Sequence, residues 1–126
     1  MEFKIRDEKI EIDENLLDKS SEEIRKQVRQ YLDKERTWFN FEVELSQDFT
    51  DQVLKEIQAI PYGSTKTYGE IADNIGSSAI AVGQACGRNP VPVIIPCHRV
   101  ASANGLGGYK YSSKLKKYLL DLESSE

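Results

Sequence analysis

Residues that bind metals or form disulfides are scarce in this sequence. Its 126 residues include two cysteines, Cys86 and Cys97, and a single histidine, His98. A structural zinc site takes four Cys or His ligands, and no C-x-x-C motif is present. We therefore expect no metal and no cofactor. We also expect free thiols, because the cysteines lie in different predicted elements and a reducing cytosol disfavours disulfides.

Long hydrophobic runs are absent as well. The longest apolar run, residues 91–96, is far shorter than the ~20 residues that span a bilayer. Residues 1–8 are charged and lack the apolar stretch of a signal peptide. With 39% hydrophobic and 30% charged residues, the composition is that of an ordinary globular chain. These features predict a cytoplasmic protein with no membrane partner.

Charge is unevenly distributed along the chain. The net charge is −4, and all of it comes from residues 1–46, because residues 47–126 contain eight basic and eight acidic residues. Within residues 60–117, seven basic residues face only two acidic ones. Two interpretations stay open. This part forms a basic face within an acidic protein, or Lys114, Lys116 and Lys117 are merely the solvated side of an amphipathic helix.

The first part of the chain has the pattern of a small α/β lobe. Alternating residues over 3–5 and 10–12 predict two short strands joined as a hairpin. A capping box at Ser20 then begins a helix. Residues 39–45 alternate most clearly of all and predict a strand. The boundary of this lobe is predicted after residue 46.

Helical patterns dominate residues 47–126. Apolar residues at helical spacing predict a first helix that ends at Pro61. A second capping box begins the next helix at Thr67, and Gly76 has the place of a C-cap glycine. The second part of the chain is therefore predicted to be mostly helical.

A further helix over residues 79–86 follows directly, capped by Ser77 or Ser78. Helix, glycine turn and helix in succession are typical of a helix-turn-helix, whose second helix contacts a nucleic-acid groove. Small residues such as Ala81 and Gly83 would let that helix approach a backbone closely. A plain helical hairpin in a core fits the pattern equally well, so both interpretations stay open.

The segment P96-C-H-R-V100 holds a cysteine beside the only histidine. Three nearby prolines, Pro90, Pro92 and Pro96, predict a stiff extended segment. A cysteine needs a base to become a nucleophile at neutral pH. Neighbours in an extended segment point opposite ways, so His98 would act on Cys97 through a water. The alternative is a buried Cys–His pair with no chemistry.

Several motifs of the second part occur together in one order: Y-G-E-I-A at 68–72, A-V-G-Q-A at 81–85, N-P-V-P at 89–92, P-C-H-R-V at 96–100 and G-L-G-G-Y at 105–109. In these motifs the chain resembles the O6-alkylguanine-DNA alkyltransferases, also called methylated-DNA–protein-cysteine methyltransferases, over about its C-terminal two thirds. The resemblance implies an α/β fold. Residues 1–46 would be a reduced ribonuclease-H-like lobe, and residues 47–126 a mostly helical, winged helix-turn-helix-type DNA-binding and active-site domain.

The resemblance also implies direct-reversal DNA repair. Cys97 would accept the alkyl group of O6-alkylguanine, or of O4-alkylthymine, in one irreversible displacement. Base flipping is required because O6 cannot be reached within a stacked duplex. The helix-turn-helix would bind double-stranded DNA in the minor groove, and the protein would be a monomer, nucleoid-associated if prokaryotic. The protein would be consumed stoichiometrically as a suicide methyltransferase.

Family roles carry over to matching positions of this sequence. His98 would deprotonate Cys97 through a water, and Glu123 would hold the imidazole. Tyr68 would donate to guanine N3 and help the nucleotide rotate, and the backbone N–H of Lys110 would face O6, so that both neutralise charge on the departing base. The remaining roles are reading of the exocyclic amine by the carbonyls of Cys97 and Val100, bracing of a turn by Asn89, and structural pairing by Arg99.

The sequence departs from the family pattern in three places: at Ile80, in the turn over residues 76–78, which is about two residues shorter than usual, and at Lys110 with Tyr111. Ile80 stands where the family usually has an arginine that fills the gap left by the flipped base. An apolar wedge also separates base steps in minor-groove proteins, so we expect Ile80 to prop the stack. Lys110 and Tyr111 replace the small Ser-Gly pair of mammalian members, so Tyr111 is expected to narrow the pocket.

Two competing functions stay open. Alkyltransferase-like proteins bind lesions without repairing them, but they resemble the family with another residue, typically tryptophan, in place of Cys97. A cysteine hydrolase would need an oxyanion hole, and a redox protein would need a second nearby cysteine. Cys86 is eleven residues from Cys97 across two prolines. P-C-H-R-V therefore favours the transferase over the lesion-binding module and the thiol enzymes.

Overall fold

An antiparallel hairpin begins the fold in the computed structural model, which describes residues 1–124. Strand β1 (Glu2–Ile5) pairs with β2 (Glu8–Glu11), with Phe3 opposite Ile10. Arg6 and Asp7 connect them with φ of 47° and 68°, the left-handed pair that a two-residue hairpin turn requires. The predicted hairpin is confirmed, and its second strand starts earlier than the alternation indicated.

Helix α1 (Ser21–Leu32) buries its apolar face in the same core cluster as the hairpin. Its N-cap is Ser20, whose hydroxyl accepts from the Glu23 N–H at 3.2 Å. The Glu23 carboxylate accepts from the Gln27 side chain at 2.8 Å. The predicted helix is confirmed, with the serine half of its capping box formed. Tyr31, in the last turn of α1, is completely buried.

The predicted strand over residues 39–45 is wrong. In the described part of the chain no strand lies along this segment, and its one bridge joins Val43 to Leu17. Two of its N–H groups donate to side chains instead: Asn40 to Gln27 and Glu42 to Asp18. The alternation was real, since every second residue is partly buried against the core. Alternation shows an extended chain with one covered face, whereas a strand also needs a partner.

Four helices make up most of the remainder: α2 (Phe49–Gln58), α3 (Tyr68–Ile75), α4 (Ala79–Cys86) and α5 (Ser113–Ser124). Strands β3 (Lys66–Thr67) and β4 (Val100–Ala101) form a two-residue parallel pair. Helix α4 packs against both α2 and α3. The chain is thus a mixed α/β protein of small sheets and five helices, and its predicted division after residue 46 stays a prediction.

Both signals predicted for α3 are confirmed. Thr67 and Glu70 form a complete capping box, and Gly76 ends the helix with φ 66°. Ser78 rather than Ser77 caps α4, accepting from the Ala81 N–H at 3.2 Å. Helices α3 and α4 therefore meet across a short turn as the pattern predicted.

Helix α5 is connected to the N-terminal hairpin. The Ser112 hydroxyl accepts from the Leu115 N–H at 3.1 Å and donates to the Glu8 carboxylate at 2.5 Å. One cluster of buried hydrophobic residues runs from the hairpin through α1 and α2 to α5. Across residues 1–124, no helix is both long enough and apolar enough to cross a membrane.

The capping box of α3 gives a first testable prediction. Thr67→Ala removes the acceptor for the Glu70 N–H, which lies 3.1 Å away, so we expect the free energy of unfolding to fall by about 1 kcal/mol. Thr67→Ser keeps the hydroxyl and serves as the matched control. Urea titration followed by circular dichroism measures both. Equal unfolding midpoints for the two variants would contradict the capping role.

Candidate functional site

A pocket of about 410 Å³ lies between α4 and the loop before α5. Its walls hold five residues that the sequence had singled out at separate positions: Tyr68, Ile80, Gly83, Cys97 and Lys110. The remaining lining residues are a second cysteine, a tyrosine and three small residues: Cys86, Tyr109, Ala79, Gly87 and Gly108. The fold thus brings five of the twelve predicted site residues to one cavity.

The backbone at Cys97 is a turn, so the predicted extended segment is wrong here. Residues Cys97–Arg99 form one turn of 3-10 helix. The Arg99 N–H donates to the Pro96 carbonyl at 2.9 Å. Successive side chains of such a turn leave about 120° apart, so Cys97 faces the pocket while His98 enters the core. The prolines make the segment stiff, but stiffness did not determine whether it was straight.

Asn89 holds this turn in place. Its Nδ2 donates to the Ile95 carbonyl at 2.8 Å and to the Cys97 Sγ at 3.2 Å, and its Oδ1 accepts from the Val91 N–H at 2.9 Å. A single buried amide therefore closes the loop and positions the thiol. Val93, within this loop, has φ 73°, a conformation that a β-branched side chain rarely adopts. The loop is held by its contacts and not by local preference.

Behind the pocket lies a buried cluster centred on Glu123. Its Oε2 accepts from His98 Nε2 at 2.6 Å and from the Tyr31 hydroxyl at 2.5 Å. Arg99 donates to both carboxylate oxygens, at 2.8 and 2.9 Å, and its Nη1 donates to the Ile60 carbonyl at 2.8 Å. Burial alone would raise the pKa of Glu123, but hydrogen bonds from His98 and Arg99 outweigh it and hold the pKa at about 2.

These contacts determine the tautomer of His98. Burial lowers the pKa of His98, which the hydrogen bond to Glu123 only partly offsets, so the ring is neutral at pH 7. An ionised carboxylate can only accept, so the His98 proton sits on Nε2 and leaves a lone pair on Nδ1. That Nδ1 is buried and has no hydrogen-bond partner among the described residues. His98 is therefore held as a base with a free acceptor.

Tyr31 is a site residue that the sequence interpretation missed. Helical spacing placed it on the core face of α1, and it is indeed fully buried. Its hydroxyl nevertheless reaches Glu123, and burial raises the pKa of the phenol above its usual range, so it stays a donor. The available signal was the residue type. A fully buried tyrosine, unlike a phenylalanine, normally has a partner for its hydroxyl.

The sequence analysis treated Cys86 as distant from Cys97, because they are eleven residues apart with Pro90 and Pro92 between them. The structure corrects this. The loop folds back, so both free cysteines line the same pocket and their thiols interact. This interaction, followed by burial, raises the pKa of Cys97 well above its ordinary value. Cys97 therefore rests as a thiol and needs a base to ionise.

Lys116 is not a solvated helix residue, as one interpretation of the lysine cluster had it. It is completely buried, and its Nζ donates to the Val100 carbonyl at 2.6 Å and to the Gly108 carbonyl at 2.7 Å. The ammonium also lies 5.8 Å from the centre of the Tyr68 ring. Lys116 thus places a positive charge behind the pocket. It also links Val100, just after the 3-10 turn, to Gly108 in the loop before α5.

Tyr68 and the glycine loop form the other side of the pocket. The Tyr68 hydroxyl donates to the Gly108 carbonyl at 3.1 Å. Gly107 has φ 78°, and a Cβ there would lie 2.9 Å from the Ser102 nitrogen and 3.0 Å from the Tyr68 ring. Only glycine fits this close approach. Lys110 follows in the same loop, and its Nζ donates to the Asn89 carbonyl at 3.1 Å.

Ile80 and Tyr111 lie in very different surroundings. Ile80, in the first turn of α4, is 76% exposed at the pocket mouth, which is unusual for a large apolar side chain. In the described part of the chain, Tyr111 does not line the pocket, contrary to the expectation that it narrows it. Its hydroxyl oxygen accepts from the Glu11 N–H at 3.0 Å, on the N-terminal hairpin.

The part of the chain that the structure describes contains no cluster of metal ligands. Within residues 1–124, no group of three or more His, Cys, Asp or Glu side chains is arranged to hold a metal ion. Both cysteines and His98 are instead used in the thiol and carboxylate contacts described above.

Comparisons with known proteins agree with this geometry. Residues 48–125 match the family model described as 6-O-methylguanine DNA methyltransferase, DNA binding domain. The chain is 48% identical over 103 residues to a methylated-DNA–protein-cysteine methyltransferase of Mycobacterium bovis, covering 79% of this chain and 62% of the relative. It is 46% identical over 88 residues to a protein of the same name from Methanocaldococcus vulcanius, covering 70% and 54%.

A solved structure shows the same likeness in three dimensions. The crystal structure of Mycobacterium tuberculosis OGT in complex with DNA superposes with a TM-score of 0.74 at 45% identity, over 82% of this chain and 66% of that one. The chain spans between half and two thirds of the length of the curated relatives given above. By the family model, the relatives and the shared fold, this chain belongs to the O6-methylguanine-DNA methyltransferase family.

Proposed function

We propose that this protein repairs DNA by moving the alkyl group of O6-alkylguanine to the Sγ of Cys97. The observation that carries the proposal is the Cys97 thiol in a pocket wall, next to a neutral His98 whose Nδ1 is free to accept a proton. The pocket volume of about 410 Å³ is within the range of sites that enclose small molecules. A flipped base is the ligand that this family membership favours.

Activation of the thiol begins at His98. Buried acceptors are rarely left without a partner, so we infer a water between His98 Nδ1 and the Cys97 thiol. Proton transfer through that water leaves a thiolate and an imidazolium. Ionised Glu123 stabilises the imidazolium, and the charge of Lys116 favours the thiolate. Burial, which otherwise disfavours the thiolate, is thereby offset at the moment of reaction.

The displacement then needs charge stabilisation on the base. The thiolate attacks the alkyl carbon, a C–S bond forms, and the C–O6 bond breaks with its electrons on O6. Tyr68 would release the Gly108 carbonyl, which it contacts at 3.1 Å, and donate to guanine N3. The backbone N–H of Lys110 would donate to O6. The product is a stable thioether, so each molecule reacts once, and we extend the same chemistry to O4-alkylthymine.

DNA would be bound through α3 and α4. We infer that they act as the helix-turn-helix of a winged arrangement, with α4 in the minor groove and the hairpin with α1 as the remnant of a ribonuclease-H-like lobe. Arg99 and Lys116 are buried, but the five other basic residues over 60–117, against two acidic ones, still favour a polyanionic partner. Ala81 and Gly83 allow a close approach of α4, and exposed Ile80 would enter the base stack. The protein would act as a monomer.

The central prediction concerns mass. Incubated with one equivalent of an oligonucleotide containing O6-methylguanine, the protein should gain about 14 Da on Cys97. Cys97→Ser should gain nothing, and mass spectrometry of the intact chain measures both. An unmodified wild-type protein that binds the lesion tightly would instead identify a lesion-binding module. Conversion of several equivalents per protein would identify an enzyme that turns over.

The cluster around Glu123 predicts a pH effect. Tyr31→Phe keeps the ring but removes one donor to the carboxylate, so the charge of Glu123 stabilises the imidazolium of His98 more strongly and raises the pKa of His98. Neutral His98 is the base. The acid side of the pH–rate profile for single-turnover transfer should therefore move to higher pH by up to about one unit.

Tyr62→Phe is the matched control for Tyr31→Phe. The Tyr62 ring packs against Tyr31 at a centroid distance of 6.1 Å, and its hydroxyl contacts only the Leu122 carbonyl, at 3.4 Å, among the contacts described. Its profile should match that of the wild-type protein. Equal displacement of the profile in both variants would reduce Tyr31 to a packing residue.

Ile80 predicts a difference between duplex and single-stranded substrate. Ile80→Ala removes the exposed side chain that would fill the gap left by the flipped base, so transfer from duplex DNA should slow about tenfold. Transfer from a single-stranded oligonucleotide, which has no gap, should be unchanged. Phe49→Ala removes another exposed apolar side chain, away from the pocket, and is the control. Equal slowing on both substrates would exclude a wedge role for Ile80.

A further inference from the structure

The pocket contains a second thiol that the proposed reaction does not use. Cys86 is the last residue of α4, and Cys97 is the first residue of the 3-10 turn. Both line the pocket, where a small molecule has access to them, and the two thiols interact so that each shifts the pKa of the other. Transfer of one alkyl group needs one sulfur. The sulfur of Cys86 is therefore not explained by the transfer reaction.

The surroundings of the two sulfurs favour oxidation by a small, uncharged oxidant. Asn89 Nδ2 donates to the Cys97 Sγ at 3.2 Å, which stabilises negative charge on that sulfur. The buried ammonium of Lys116 adds a favourable charge close by. The Cys86 thiol and burial keep the pKa of Cys97 raised at rest, so the reactive thiolate is the one that proton transfer to His98 produces. Thiolates react with peroxides, and a neighbouring thiol then resolves the product.

We propose that Cys86 and Cys97 form a peroxide-reactive modification site, in which a reversible disulfide masks the alkyl acceptor. The site itself depends only on the two thiols, and its consequence for repair rests on the proposed function. Because both side chains open into one pocket, a sulfenic acid formed on one sulfur is exposed to the other thiol. The lesion and the oxidant would compete for one sulfur.

The chemistry balances in two steps with hydrogen peroxide as the oxidant. The Cys97 thiolate attacks one peroxide oxygen and the O–O bond breaks, giving a sulfenic acid and hydroxide, which is protonated to water. The Cys86 sulfur then attacks the sulfenic sulfur, the S–O bond breaks, and a second water leaves. Two thiols and one peroxide thus give one disulfide and two waters, and a dithiol reductant restores both thiols.

The second thiol also has a protective consequence. A sulfenic acid without a partner oxidises further to a sulfinic acid, which dithiols do not reduce. Because Cys86 lines the same pocket, its thiol converts the sulfenic acid on Cys97 to the disulfide before a second peroxide reacts. The protein would lose its acceptor temporarily under peroxide instead of permanently.

The experiment uses the full chain, without DNA, treated with one equivalent of hydrogen peroxide at pH 7. The wild-type protein should lose about 2 Da, yield a peptide pair joined through Cys86 and Cys97, and return to its original mass with dithiothreitol. Cys86→Ser should instead gain about 16 or 32 Da on Cys97, and the larger gain should resist dithiothreitol. Circular dichroism checks that the Cys86→Ser variant is folded. If this variant does not fold, the wild-type result alone decides the inference.

Several results would overturn the inference. These are a wild-type protein that gains oxygen on Cys97 with no joined peptides, one that doubles its mass through an intermolecular bond, or one that does not react. The readout is independent of alkyl transfer. A disulfide in a protein that takes no methyl group contradicts the proposed function alone, whereas methyl transfer without any disulfide contradicts this inference alone.

Discussion

The buried carboxylate of Glu123 is the contact on which the arrangement of the site depends. It accepts hydrogen bonds from four residues in three distant parts of the chain: Tyr31 in α1, Gly63 before α3, and His98 and Arg99 in the 3-10 turn. A buried charge is tolerated only when its partners are all in place, and losing one leaves the others with an uncompensated charge. Glu123 therefore requires the first helix, the turn and the last helix to assemble together.

Helix α5 carries a second buried charge of opposite sign. Lys116 and Glu123 are seven residues apart, about two helical turns, so both point to the same side of α5. Lys116 donates to the carbonyls of Val100 and of Gly108, a residue of the pocket wall, and Glu123 accepts from His98. One helix thus carries both buried charges of the site. The Cys97 Sγ, on the 3-10 turn, accepts from Asn89 Nδ2 at 3.2 Å.

Local signals predicted much of the fold because their physical causes are local. The capping box at Thr67 and the C-cap at Gly76 act within one helix, and both formed as predicted. Alternation over residues 39–45 described one covered face but could not supply a partner strand. Prolines around Cys97 indicated stiffness, yet the 3-10 turn came from hydrogen bonds that the loop makes with itself and with Asn89.

By itself the sequence determined the family motifs, the thiol with its adjacent histidine, and the helices whose ends it encodes in neighbouring residues. Only the tertiary structure decided that Tyr31 reaches Glu123, that Lys116 is buried, and that Cys86 and Cys97 line one pocket. The reason is physical. Burial and contact depend on which distant segments meet, and a lysine in an amphipathic pattern or a cysteine eleven residues away carries no local sign of its partner.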